Sequence, residues 1–174
     1  MDFKRISHEG LVVGLIGAAA IAAWFLIVDT LAGSPFFTPS MLGSALFWGV
    51  REPGTVQVSF QTVAGYTMVH VLAFVIVGSI AAALACQVER APSTLFLAIV
   101  LFAAFEFGFY IVVAVVAQPL LGALAWWSVA IGNAIAGIGM GYHLWRQHPR
   151  LREKLAQHPL GASIDESADT IRQL

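Results

Sequence analysis

The chemistry this chain can offer is concentrated in a few polar side chains set inside long apolar runs. Glu106 sits at the centre of residues 94–117, a run otherwise built of Leu, Ile, Val, Ala and Phe. An ionisable group at the middle of such a run is costly and has to be stabilised by something. It reads either as a neutral acid clamped to a neighbouring helix or as a proton or ligand site. Contact with a partner subunit is a third reading. Desolvation favours the neutral form of the acid. His70 reads as an interhelical hydrogen-bonding group or as a metal or haem ligand, and Asn133 reads as a polar link between helices. Tyr66 and His70 share a helix face at i, i+4, as do Glu106 and Tyr110. Glu106, His70, Asn133, Tyr66 and Tyr110 are therefore the predicted buried polar cluster.

A second set lies at a segment end. Asp29 reads as capping loop backbone groups or pairing with Arg51, against the alternative of binding substrate, and Trp48 joins them as an expected contact in the first loop. His143 reads as a polar end at the membrane surface. No catalytic residue and no metal ligand is predicted. The single cysteine, Cys86, excludes an internal disulfide and a cysteine cluster, and it reads as a small hydrophobe. There is no HExxH, no glycine-rich phosphate loop and no paired carboxylates. His70 and His143 differ too much in depth to ligate one haem iron. The expectation is a non-enzymatic protein, with the cofactor left open.

The elements that carry these residues are read from composition and periodicity. Of 174 residues, 59% are hydrophobic and only 11% charged. Ordinary soluble domains carry about 25% charged residues. With a mean hydropathy of +0.81, the sequence predicts an integral membrane protein. The expected fold is an all-α four-helix membrane bundle, with spans at about residues 10–31, 62–86, 94–117 and 120–145. Residues 1–145 form this domain, and residues 146–174 form a cytoplasmic tail. The first run is too long for the apolar region of a signal peptide, so it reads as a retained helix. Gly10, Gly14, Gly17 and Ala18 form a small-residue stripe along it, and Gly137 and Gly141 form a second. Between the first two spans, Thr38 as N-cap and Pro39 at the first position predict a short helix over residues 39–50, too short to cross. Residues 56–62 read as an extended lead-in to the second span.

Lys4, Arg5, Arg90, Arg146, Arg150, Arg152, Lys154 and Arg172 fall on one side of this arrangement, and Arg51 on the other. That bias predicts a multi-pass protein of the bacterial inner membrane with both termini cytoplasmic. The pattern resembles small four-helix inner-membrane proteins of bacteria. The expected partners are the lipid bilayer and other membrane subunits or further copies of the chain. Nucleic acid is not among them, since the basic residues cluster at segment ends. The leading functional expectation is an accessory or structural subunit of a larger respiratory or photosynthetic membrane complex, packed against partner helices, lipid or pigment. The alternatives are a small oligomeric proton- or cation-coupled transporter using Glu106, and a haem- or quinone-binding protein centred on His70.

Overall fold

Glycines at i, i+4 leave a helix without side chains along one line, so a second backbone can lie directly against it. The first helix uses this. The structure is a computed structural model that describes residues 3–90, 100, 111, 126–149 and 153. Within them are α1 (Phe3–Leu31), α2 (Phe37–Trp48), α3 (Phe60–Arg90) and α4 (Trp126–Gln147), with a single 3₁₀ turn at Pro53–Thr55. No strand occurs among the described residues.

A Cβ placed on Gly10 would lie 2.5 Å from the Cα of Ser79, and one on Gly14 would lie 2.5 Å from the Phe74 carbonyl oxygen. From the other side, a Cβ on Gly78 would run into the backbone of Gly10 and Gly14. These pairings run in opposite directions along the two helices, so α1 and α3 are antiparallel. The same holds for α4. Gly139 lies against Ile16 and Gly132 against Trp24. Trp24 Nε1 donates to the Ser128 carbonyl at 2.8 Å. Helix α1 is thus central, flanked by α3 and α4, which run parallel to each other. At Gly17 both neighbours arrive together, Phe74 from α3 and Met140 from α4.

The apolar runs give the core of each helix correctly but not its ends. Helix α1 begins at Phe3 rather than Gly10, and α3 ends at Arg90 rather than Cys86. Polar residues do not terminate a helix, and no proline or glycine interrupts either extension. Helix α4 is observed from Trp126, and residues 120–125 lie outside the described residues. Ile6–Leu31 and Phe60–Arg90 are long and apolar enough to cross a membrane. These are two candidates rather than four. Of the third predicted span, 94–117, only Val100 and Ile111 are among the described residues. Helix α4, carrying Asn133, His143 and several glycines, is not among the candidates. The Gly137–Gly141 pair also departs from expectation. Among the described residues nothing comes within 4 Å of a Cβ at either position.

The short helix starts differently from the expected pattern. Its N-cap position is Phe36, in the left-handed region at φ 63°, with no side-chain cap of its own. Pro39 sits one turn in, where a missing N–H still costs nothing. Helix α2 is more than a surface helix, because Thr38, Ser40, Met41, Gly43, Ser44 and Ala45 are all buried. Gly43 lies 2.5 Å, by its would-be Cβ, from the Thr62 carbonyl oxygen. Beside it the Thr62 hydroxyl donates to Ser40 Oγ at 3.1 Å. Gly49 closes α2 at φ 65°, its N–H bonding Ala45 O while Val50 N–H bonds Ser44 O. The extended lead-in to α3 is observed over residues 56–59, and Ser59 Oγ then accepts from Thr62 N–H at 3.2 Å as the helix cap.

Gly78→Ala tests the α1–α3 seam. Alanine gains about 1 kcal/mol of helix propensity over glycine. Here its methyl group meets backbone that cannot rotate away, and overpacking costs about 1–3 kcal/mol. A net fall in thermal unfolding temperature in detergent is expected, whereas Gly137→Ala should hold or raise it.

Candidate functional site

The helix extensions bring charged residues together at one end of the bundle. Glu9 lies two turns into α1, Glu89 in the last turn of α3, and His148 directly after α4, its N–H still bonded to the Leu144 carbonyl. The His148 side chain is completely buried. Its Nε2 lies 2.8 Å from Glu9 Oε1, and its Nδ1 lies 3.1 Å from Glu89 Oε1. The first contact has hydrogen-bond geometry, whereas the second is an ion-pair distance without it. Glu9 is buried and Glu89 nearly so, at 8% and 19% side-chain exposure.

The arrangement has an electrostatic logic. Glu89 stands at the negative end of α3, where a carboxylate is unfavourable without a compensating group. Two carboxylate oxygens face the two nitrogens of one imidazole. Both contacts are favourable together only when protons or a cation lie between them. Cys86 is one turn before Glu89 on α3, and i, i+3 residues share a helix face. One ligand atom from each of Glu9, Cys86 and His148 can be chosen so that all three lie within 4.8 Å of one another. This cluster was not among the residues singled out from sequence. Counting apolar length ended the second span at Cys86 and the fourth at Trp145, which split the cluster among turns and tail. The signal that could have found it is the Cys86–Glu89 spacing together with a histidine immediately beyond the last helix.

The predicted buried cluster is partly visible. His70 stacks on Tyr66 with ring centroids 5.8 Å apart and meets Phe74 edge-on at 4.8 Å. Among the described residues its Nε2 is enclosed with no hydrogen-bond partner. Asn133 is half-buried on α4. The helix register places it within about one turn of the level of His70, across α1. Glu106 and Tyr110 lie outside the described residues.

At the opposite end the predicted loop contacts resolve into a cap. Both oxygens of buried Asp29 engage Thr38. Its backbone N–H donates to Oδ2 at 2.7 Å, and its hydroxyl to Oδ1 at 2.6 Å. Asp29 therefore supplies the cap that Phe36 lacks, reaching across the turn to orient α2. Of the readings of Asp29, capping is the one seen. Arg51 is exposed, and Trp48 is exposed with its ring edge-on to Phe47 at 5.7 Å.

No protein-family model matches this chain, and no curated protein or solved structure matches it.

Two substitutions test the ends. Asp29→Ala removes a cap and strands the Thr38 hydroxyl, an expected loss of about 2 kcal/mol. Asp29→Asn, which can still accept from the N–H, should lose less. His148→Ala leaves two carboxylates facing each other. Breaking a buried pair costs roughly 3–5 kcal/mol, and the partial exposure of Glu89 puts the expected loss at the low end. Chemical unfolding in detergent reads both.

Proposed function

We propose that the chain is a four-span integral membrane protein that serves as a non-enzymatic subunit of a larger membrane assembly. The observation that carries this reading is how polar and apolar groups are divided. In the described residues the polar side chains at both ends hold helices to one another, through Asp29–Thr38, Ser40–Thr62 and Glu9–His148–Glu89. The surface offered outward is apolar. On α3 an exposed stripe of Met68, Leu72, Ile76 and Ile80 repeats every four residues. Only 22% of the apolar window of α1 and 17% of that of α3 is buried inside the protein. A core helix of a soluble protein would be mostly covered, so these faces fit lipid or partner helices.

The four-span count is supported by topology. Helices α3 and α4 run parallel on either side of α1. The chain leaves α3 at Arg90, beside Glu9, and enters α4 at Trp126, at the other end. Arg90 and Trp126 therefore lie at opposite ends of the bundle. If α1 and α3 cross a membrane, these two residues lie on opposite sides of it, which fits a further span between them. Orientation is supported by Arg90 and Arg146 sharing the end where α1 begins, while Arg51 lies at the other. The positive-inside rule then puts both termini in the cytoplasm of a bacterial inner membrane.

Gentle solubilisation followed by native electrophoresis tests the subunit reading. Migration within an assembly much larger than a dimer, with partners recovered by affinity pull-down from membranes, is the expected result. A chain that runs only alone or as a dimer rejects it. One observation favours a second reading. The enclosed, unpartnered Nε2 of His70 between two aromatic rings suits a haem or quinone ligand in the membrane interior. For haem, the purified protein should show a Soret band that His70→Phe removes, and a colourless wild-type sample eliminates haem.

A further inference from the structure

The cluster at the Glu9 end has the make-up of a metal site. We propose that Glu9, Cys86 and His148 bind one divalent transition-metal ion of the Zn²⁺ type, with Glu89 fixing the imidazole from behind. The donor set is a carboxylate oxygen, a thiolate sulfur and an imidazole nitrogen. Thiolate with imidazole selects borderline-soft cations such as Zn²⁺ or Co²⁺ over Mg²⁺ and Ca²⁺, which prefer all-oxygen sites. The three donor atoms already lie within 4.8 Å of one another. Tetrahedral Zn²⁺, with bonds of about 2.0–2.3 Å, needs donors about 3.3–3.6 Å apart. A pair at the 4.8 Å limit has to close by about 1.2–1.5 Å, and the Glu9–His148 contact of 2.8 Å has to open by about half an ångström. Side-chain torsions supply shifts of this size.

The second carboxylate is the stronger argument. Metal-bound histidines characteristically donate their other ring N–H to a carboxylate, which fixes the tautomer and raises the basicity of the ligating nitrogen. Here Nε2 faces Glu9 and Nδ1 faces Glu89 at 3.1 Å. With a metal on Nε2, the single imidazole proton sits on Nδ1, and a small turn of the Glu89 carboxylate, 3.1 Å away, would let it accept that proton's hydrogen bond. A dication would offset two of the three negative charges that the carboxylates and a Cys86 thiolate bring into a largely buried pocket. Binding deprotonates the Cys86 thiol and releases that proton to solvent. Water completes the fourth position, reached past the partly buried Cys86. The ion would join the ends of α1, α3 and α4. The proposal is independent of the subunit reading, since it needs only these three helix ends.

The test uses the full chain in mild detergent, free of any affinity tag, treated with chelator and then titrated with Co²⁺. The expected result is one Co²⁺ per chain, tetrahedral d–d absorption, and a near-ultraviolet thiolate-to-cobalt charge-transfer band that Zn²⁺ displaces. Cys86→Ser should abolish the charge-transfer band. Glu89→Gln should keep it while weakening affinity about 10–100-fold. A folded wild-type protein that takes up no Co²⁺, or binds it without the thiolate band, overturns the proposal. That outcome is read on the wild-type chain and does not depend on any variant folding.

Discussion

Backbone contact between α1 and α3 is the constraint on which the rest of the structure depends. Gly10 and Gly14 on one helix and Gly78 on the other leave no room for a β-carbon at the crossing. Where helices lie in hydrocarbon there is no hydrophobic force between them, and close packing of this kind holds them by short-range dispersion. Small residues achieve this by removing what would keep the backbones apart. The same closeness fixes the axial register, because the glycines are matched to specific carbonyl and Cα positions rather than to a tolerant side-chain surface. Register in turn decides which polar residues meet at the ends.

The end carrying Glu9 shows the consequence. Gly10 is the residue after Glu9, and its contact with Ser79 sets how α3 continues toward Cys86 and Glu89. Nearly three turns beyond that contact, the α3 carboxylate arrives within reach of the imidazole that already bonds Glu9. A wider helix spacing would leave Glu89 at the water interface and His148 with one partner. On the other side of α1, Gly17 admits Met140, and Gly132 admits Trp24. Those contacts position α4 so that its C-terminus delivers His148 between the two acids. The charge cluster is thus a product of glycine packing several residues away.

Sequence reading recovered what depends on average properties and lost what depends on ends. Helical runs, the Gly10–Gly14–Gly17 stripe and the short helix after Pro35 follow from apolar periodicity, small-residue spacing and breaker residues. Those that fall among the described residues are seen, with α2 offset by two residues. Helix ends carry no such average. Ser7, His8 and Glu9 read as a polar lead-in because hydropathy falls there, yet backbone hydrogen bonding continues through them. The capping of α2 was misread for a related reason. Thr38-Pro39 is a good local start, but the cap comes from Asp29, nine residues back, and long-range caps leave no local pattern. Asp29 and His70 were visible as unusual residues because each stands inside or beside an apolar run. Glu9, Glu89 and His148 were not, since charged residues flanking a span are ordinary there.

The two ends are closed by different chemistry, and their surroundings explain why. At the Asp29 end, hydrogen bonds to Thr38 and between Ser40 and Thr62 join α2 to its neighbours through mostly neutral groups. Helix α2 lies across that end and shields these contacts, so a single carboxylate accepting two hydrogen bonds is enough. At the Glu9 end no helix lies across the bundle among the described residues, and the closing contact has to withstand competing water. Exposed ion pairs contribute little there, because solvent screens them. Full burial of the His148 ring between two acids avoids that screening, but it creates a cluster whose stability depends on what sits between the charges. A metal cation between them would tie all three helix ends together at once. A second carboxylate 3.1 Å from the nitrogen that a metal would leave free is the feature that a simple salt bridge does not require.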